Sequence, residues 1–394
     1  MPLGFILYPL HFILDPCFCI WGADPVKTDR IEIRELKLPL VHFFETSFGR
    51  TTTRRIILVR AYADGLTGWG EVTCGEDPFF SYETPETAWH ILRDFLIPWT
   101  LGREWTSASE VAPRFHRIRG HNMAKAGLEN ALWDIEAQQK GMPLAELLGG
   151  TLKEIPCGVS IGIQNLIDDL LDQVERELSA GYQRIKVKIK PGWDVKVLDR
   201  IRSRWPRIPL MADANSAYTL TDLPHLRQFD RFYLMMIEQP LGWNDLLDHA
   251  RLQRELSTPI CLDESIHGVD DARQAIEIGS CKIINVKLGR VGGFTSAQQV
   301  HDACRARNVP VWCGGMLESG IGRAHNIAMS ALPGFVLPGD VSASQRYWHE
   351  DIIDPEVTVT PQGTIRVPQT PGLGYVPNLE RIEKATVRKE EFRS

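Results

Sequence analysis

Lys188, Asp213, Glu238, Asp263 and Lys287 recur at steps of 25, 25, 25 and 24 residues, and each closes a short apolar run. The runs are RIKVK (184–188), IPLMAD (208–213), FYLMMIE (232–238), TPICLD (258–263) and CKIINVK (281–287). Runs this short and apolar read as parallel strands buried on both faces, with amphipathic helices between them. One strand plus one helix per repeat is the period of a β/α barrel, whose strands all end at one face. Three carboxylates and two lysines are therefore expected to converge on one cavity. A single acid at such a position reads more simply as a helix cap, but five charged residues at one phase do not.

The chain has 394 residues, more than the roughly 250 of one barrel, so a second domain is expected. IEIRELKLPL and RRIILVRAYADG alternate as antiparallel strands, with FFETSFGRTTT (43–53) between them and an Asp64-Gly65 turn after them. TPETAWHILRDFLIPWT opens with a capping pattern, and residues 123–141 form a long amphipathic helix ended by Gly141 and Pro143. This predicts an α+β capping domain over 28–150, completed by 345–394, where 357–375 reads as a hairpin. The barrel is expected over 151–344, opening near Ile155 and ending with a strand near Phe335.

Hydrophobic residues make up 43% of the chain and charged residues 24%, an ordinary balance for a folded core. The net charge of −6 and the lack of a dense Lys/Arg cluster argue against a nucleic-acid surface. RSRWPR (202–207), the most basic stretch, reads as a solvated helix-to-strand connection. The eight cysteines form no CxxC pair. Cys157, Cys261, Cys281 and Cys313 fall in predicted strands, which fits reduced, buried thiols and a cytoplasmic protein. Residues 1–27 are apolar but lack a basic leader and an uninterrupted apolar span, so they read as an extension of unknown role rather than a membrane anchor.

Asp213, Glu238 and Asp263 offer hard oxygen ligands suited to Mg²⁺, with Mn²⁺ able to take its place; Glu264 is an alternative third ligand, but strand phase favours Asp263. No His shares these strand ends, which argues against zinc. Lys186 and Lys188 lie two apart on a strand and point to one face. Each ammonium would disfavour its neighbour's charge, leaving Lys188 able to act as a general base. Lys287 approaches from the opposite side. A divalent cation between two lysines is a device for removing a proton next to a carboxylate.

KVK (186–188), DAN (213–215), EQP (238–240), DES (263–265) and NVKLGRVGG (285–293) resemble the enolase superfamily, in its muconate lactonizing enzyme-like subgroup. GGMLESGIGRAHN (314–326) and ETSFG (45–49) resemble the o-succinylbenzoate synthase/N-succinylamino acid racemase family within it. The resemblance covers residues 30 to 380. It implies a modified TIM (β/α) barrel with an α+β capping domain, Mg²⁺, and proton abstraction from the carbon next to a carboxylate. Position by position, it implies Lys188 as general base, Asp213, Glu238 and Asp263 as metal ligands, and Lys287 as the second lysine.

Other positions carry two readings each. The resemblance implies that Arg290 tunes the protonation of Lys287; a surface or helix-cap role is the other reading. Phe44 and Phe48 either cover the substrate or pack the small domain. Ser160 and Ser319 either bind the substrate's tail or carboxylate, or cap helices; Asn215 would orient a metal ligand or water. The leading function is a lyase, o-succinylbenzoate synthase of menaquinone biosynthesis, and the alternative is an isomerase, N-succinylamino acid racemase. GGMLESGIGR argues against a dipeptide epimerase, and two intact lysines argue against a non-catalytic scaffold. The expected partner is a small carboxylate substrate, with no nucleic acid or membrane, and the chain is expected to form a homo-oligomer.

Overall fold

The computed structural model describes residues 24–394, so most of the expected extension, residues 1–23, lies outside the described residues. Residues 26 and 27 already belong to the fold: Val26 is buried, opens the strand Val26–Glu45 and pairs with Trp105.

The first two alternating runs become the strands Val26–Glu45 and Arg50–Ala63, paired antiparallel from Thr28 opposite Ala63 to Glu45 opposite Arg50. The connection expected over 43–53 is thus mostly strand, and the turn itself is Thr46 to Gly49, closed by the Thr46 N–H on the Gly49 carbonyl at 2.9 Å. Strand Leu66–Val72 follows the Asp64-Gly65 turn, whose φ values of 49° and 80° are the left-handed ones a two-residue hairpin needs. Helix Asn122–Gln139 lies across this sheet. Its approach requires glycine, because a Cβ on Gly70 would stand 1.8 Å from the Gly127 carbonyl oxygen.

Thr386–Arg393 pairs with Val26–Glu45 as the outer strand, so the C-terminus does complete the small domain's sheet. TVRKEEFR is charged at alternate positions, which suits an exposed edge. With that edge taken, the 357–375 segment does not form the expected hairpin. Its Thr364–Arg366 pairs instead with Glu154–Pro156.

Seven parallel strands then neighbour one another in chain order. They are Gly158–Ile161, Arg184–Lys188, Leu210–Asp213, Ile237–Glu238, Ile260–Leu262, Ile283–Val286 and Val311–Cys313. Ile155 lies in the antiparallel ribbon, and the barrel opens at Gly158. The strand expected near Phe335 is an irregular closing segment, with Phe335 bridged to Val311 and Gly339 to Cys157. FVLPGD carries Pro338 and Gly339, which remove a ladder donor and a packing side chain.

Met211, Met236 and Cys261 each lie two residues before Asp213, Glu238 and Asp263. On a strand, that spacing turns them to the same side, and they pack with Ile283 and Trp312 into a separate apolar core. The acids therefore stand one layer above an apolar floor. Elsewhere, Arg202 to Arg204 form the last turn of a helix rather than a loop, and Arg202 donates to the Phe232 and Ile208 carbonyls. Cys157, Cys261, Cys281 and Cys313 are free and buried, with Cys157 and Cys281 just outside the strands. Among the described residues no helix is long and apolar enough to cross a membrane.

Candidate active site

Lys188, Asp213 and Glu238 are the last residues of their strands, while Asp263 and Lys287 come one residue after theirs. All five are buried. The Lys188 Nζ donates to Asp213 Oδ2 at 2.7 Å and to Asn215 Oδ1 at 2.8 Å. The Lys287 Nζ donates to Asp263 Oδ2 at 2.7 Å. The two lysines thus flank the strands that carry the acids.

Lys186 behaves differently from its expected role. Its Nζ lies 2.5 Å from Asp340, 2.9 Å from Glu238 and 3.2 Å from Asp213. Burial works against its charge, but Asp340, Glu238 and Asp213 outweigh it and hold the Lys186 pKa well above the usual lysine range. Lys186 is a fixed counter-charge inside the barrel.

Asn215 accepts from Lys188, donates its Nδ2 to Glu264 Oε1 at 3.0 Å, and gives its backbone N–H to Asp213 Oδ1 at 3.0 Å. Asn215 and Gln239, just past Asp213 and Glu238, hold left-handed φ values of 41° and 38°. Such backbone costs about 1–3 kcal/mol per residue and persists where surrounding contacts enforce it. Here it lets Gln239 Oε1 accept from the Asp263 N–H at 3.0 Å, tying neighbouring strand ends together.

Arg290 is buried, which removes its surface reading. Its Nη1 pairs with Asp263, while Nε donates to the Ile266 carbonyl at 2.6 Å. Ser319 takes the second of its two readings, standing at the N-cap of helix Gly320–Ser330, and its hydroxyl and N–H both engage Glu71 of the small domain, so it joins the domains. Ser160 is buried in the first barrel strand with its Oγ unpartnered, and it does not line the cavity above Lys188 and Lys287.

Phe44 and Phe48 line that cavity together with Phe79 and Phe80. The hairpin tip carrying Phe48 is docked on the barrel by Ser47 Oγ donating to the Asn215 carbonyl at 2.9 Å. The Lys188 Nζ stands 5.8 Å from the Phe44 ring centre, and the Lys287 Nζ stands 4.5 Å from that of Phe80. Gly314 is required beside Lys287, since a Cβ there would lie 2.6 Å from Lys287 Cε.

Three participants escaped the sequence reading. Asn285 donates to Glu238 Oε1 at 2.6 Å, and its place two residues before Lys287 is the signal that finds it. Asp340 follows an irregular segment and Phe80 sits in a loop, so neither has a periodic signal.

The donor chemistry fits a hard divalent cation, although among the described residues no three acids already converge as a ligand cluster. Against burial, Lys188 and Lys186 draw Asp213 far below the carboxylate range, and Lys287 and Arg290 lower Asp263. Glu238 is pushed well above its usual value by burial and Asp213, and Glu264 up to about 8 by burial, Asp263 and Asp213. Glu264 Oε2 is buried without a partner. The crowding of Glu238 and Glu264 against Asp213 and Asp263, all with oxygen donors, is what a divalent cation relieves.

The family described as "Mandelate racemase / muconate lactonizing enzyme, N-terminal domain" matches residues 30–149, and "Enolase C-terminal domain-like" matches residues 169–382. A relative from Geobacillus kaustophilus named o-succinylbenzoate synthase is 54% identical over 362 residues, covering 92% of this chain and 96% of its own. One from Thermus thermophilus named N-succinylamino acid racemase is 46% identical over 362 residues, covering 92% and 98%. The crystal structure of an enolase superfamily member from Listeria innocua matches with a TM-score of 0.90 at 40% identity, covering 93% of this chain and 99% of that one. The chain belongs to the enolase superfamily, whose enzymes of this type depend on a divalent metal, and within its muconate lactonizing enzyme-like subgroup to the o-succinylbenzoate synthase/N-succinylamino acid racemase family.

Proposed function

We propose that this protein is a Mg²⁺-dependent o-succinylbenzoate synthase, dehydrating 2-succinyl-6-hydroxy-2,4-cyclohexadiene-1-carboxylate in menaquinone biosynthesis. The observation that carries the reading is the placement of Lys188 and Lys287 on opposite sides of one buried acid set, each hydrogen-bonded to a different member. Asp213, Glu238 and Asp263 would hold the Mg²⁺, which when bound supplies positive charge for the substrate carboxylate. Lys188 takes the proton from the carbon next to that carboxylate. In its ammonium form it returns a proton to the departing hydroxyl, so one C–H and one C–O bond break, a ring double bond forms and water leaves. Lys287 stays cationic and faces the negative charge that builds during proton removal. Asn215 and Arg290 hold the Lys188 amine and the Asp263 carboxylate in place, and Phe44, Phe48 and Phe80 limit water.

Racemisation of N-succinylamino acids is the second reading, favoured by the same opposed lysines: each would remove or return the proton on its own face of one carbon. We also propose a cytoplasmic homo-oligomer; the free buried cysteines support the compartment, and light scattering tests the assembly. Purified protein assayed on both substrates tests the function. Turnover of the cyclohexadiene acid with Mg²⁺, abolished by excess chelator, is the expected result. Full turnover in chelator, or racemisation with no aromatic product, contradicts it.

A further inference from the structure

Arg54 is a buried guanidinium in the wall of the cavity that holds Lys188 and Lys287, and it has donors to spare. It stands on the strand Arg50–Ala63 and is 5% exposed. Its Nη2 donates to the carbonyls of Thr73 at 2.9 Å and Cys74 at 3.0 Å, which fixes the plane of the group. Its Nε is buried without a hydrogen-bond partner. Arg184, Arg290 and Arg55 are matched to acids, Asp340, Asp263 and Glu35, whereas Arg323, buried like Arg54 and held by carbonyls, does not line this cavity. The acids nearest Arg54 are already engaged, Glu71 by Ser319 and Gly322, and Glu318 by the Met316 N–H. Glu76, at the cavity rim, faces Arg55 at 3.7 Å. A buried cation without a paired carboxylate is costly, and with Nη2 spent on two carbonyls the Nη1 and Nε hydrogens of this immobilised group are left to recognise one.

We propose that Arg54 binds the distal carboxylate of the substrate's succinyl tail and thereby sets a preference for dicarboxylates over substrates with a neutral tail. The proposal rests on the synthase/racemase reading, since both substrates of that reading carry a succinyl group. The reacting carboxylate belongs among the lysines and the acid set. The tail then lies between the phenylalanines of the cavity wall, with its charged end at Arg54. Arg54 acts in binding, not in proton transfer.

The test is calorimetric titration, in Mg²⁺, of 2-succinylbenzoate and of its mono-methyl ester at the succinyl carboxylate, against wild type, Arg54→Met and Arg54→Lys. Wild type is expected to favour the diacid by about 10- to 100-fold, the worth of a charge-assisted pair. Arg54→Met should bring the ratio close to one with the ester's affinity little changed, and Arg54→Lys should restore part of it. If Arg54→Met does not fold, a reduced ratio in Arg54→Lys supports the proposal and an unchanged ratio overturns it. Equal weakening of both ligands assigns Arg54 to structure alone and overturns the proposal, as does a preference that survives Arg54→Met. Binding is read without turnover, so a wild type that discriminates the two ligands yet converts neither proposed substrate overturns the functional reading instead.

Discussion

Lys287 and Arg290 divide one carboxylate between them: Lys287 Nζ holds Asp263 Oδ2 at 2.7 Å, and Arg290 Nη1 holds Oδ1. Arg290 is locked in turn by the Ile266 and Asn285 carbonyls, so the arrangement is rigid. Removing Arg290 takes a cation from beside Lys287 and leaves Asp263 to grip the ammonium more tightly, which makes Lys287 a poorer base. Arg290→Met is expected to slow racemisation in the direction that needs Lys287 as base by about 10- to 100-fold, one to two pKa units' worth. Dehydration, in which Lys287 stays cationic, should lose much less. Rates for both enantiomers of an N-succinylamino acid and for the cyclohexadiene acid check this, and equal losses in all three contradict it.

Glu71 joins the domains from the buried end of strand Leu66–Val72 by accepting from Ser319 and Gly322. Burial, reinforced by Glu318 and only partly offset by those donors, pushes its carboxyl from 4.5 up to about 7. The fold thus favours the protonated form. This contribution to stability is complete below about pH 4.5 and is lost as pH rises through about 7. Glu71→Gln cannot ionise, so it should gain on wild type between pH 5 and pH 8, by roughly 1–3 kcal/mol. Denaturant unfolding at the two pH values measures this, and a wild-type-to-variant gap that does not change with pH refutes it.

At the N-terminus, a chain beginning at Asp24 should fold and keep its turnover, because the cavity wall among the described residues starts at Phe44. A chain beginning at Thr28 lacks the buried Val26 and its pairing with Trp105. That should cost roughly 1.5–3 kcal/mol, visible as a lower unfolding midpoint. Equal stability of the two chains contradicts the assignment of Val26 to the core.

The catalytic face was legible in the sequence because strands buried on both faces read as apolar runs, and a charged residue ending such a run stands out. Asp213 and Lys188 needed nothing more than that. What was missed involves partners brought together across long stretches of chain. Ser319 was left between ligand group and helix cap because nothing local reveals that Glu71, on a strand of the other domain, takes its hydroxyl. Asp340 is delivered to Lys186 by a segment whose Pro338 and Gly339 erase any strand signature. Arg54 reads as one more charge on a β-strand until the fold shows that its side chain is enclosed. The misplaced 357–375 hairpin shows the same limit, since alternation predicts a strand but not which edge it will find.

The central claim is that Lys188 and Lys287 face one substrate carbon from opposite sides, and exchange of the α-proton of an N-succinylamino acid in deuterated water tests it most directly. Proton NMR on each enantiomer, with wild type, Lys188→Ala and Lys287→Ala, provides the readout. Wild type is predicted to exchange both enantiomers, and each variant only one, the two variants retaining opposite ones. Lys188→Ala should also lose dehydration by several orders of magnitude. Exchange of the same enantiomer by both variants, or of neither while wild type still forms the aromatic product, would contradict the claim.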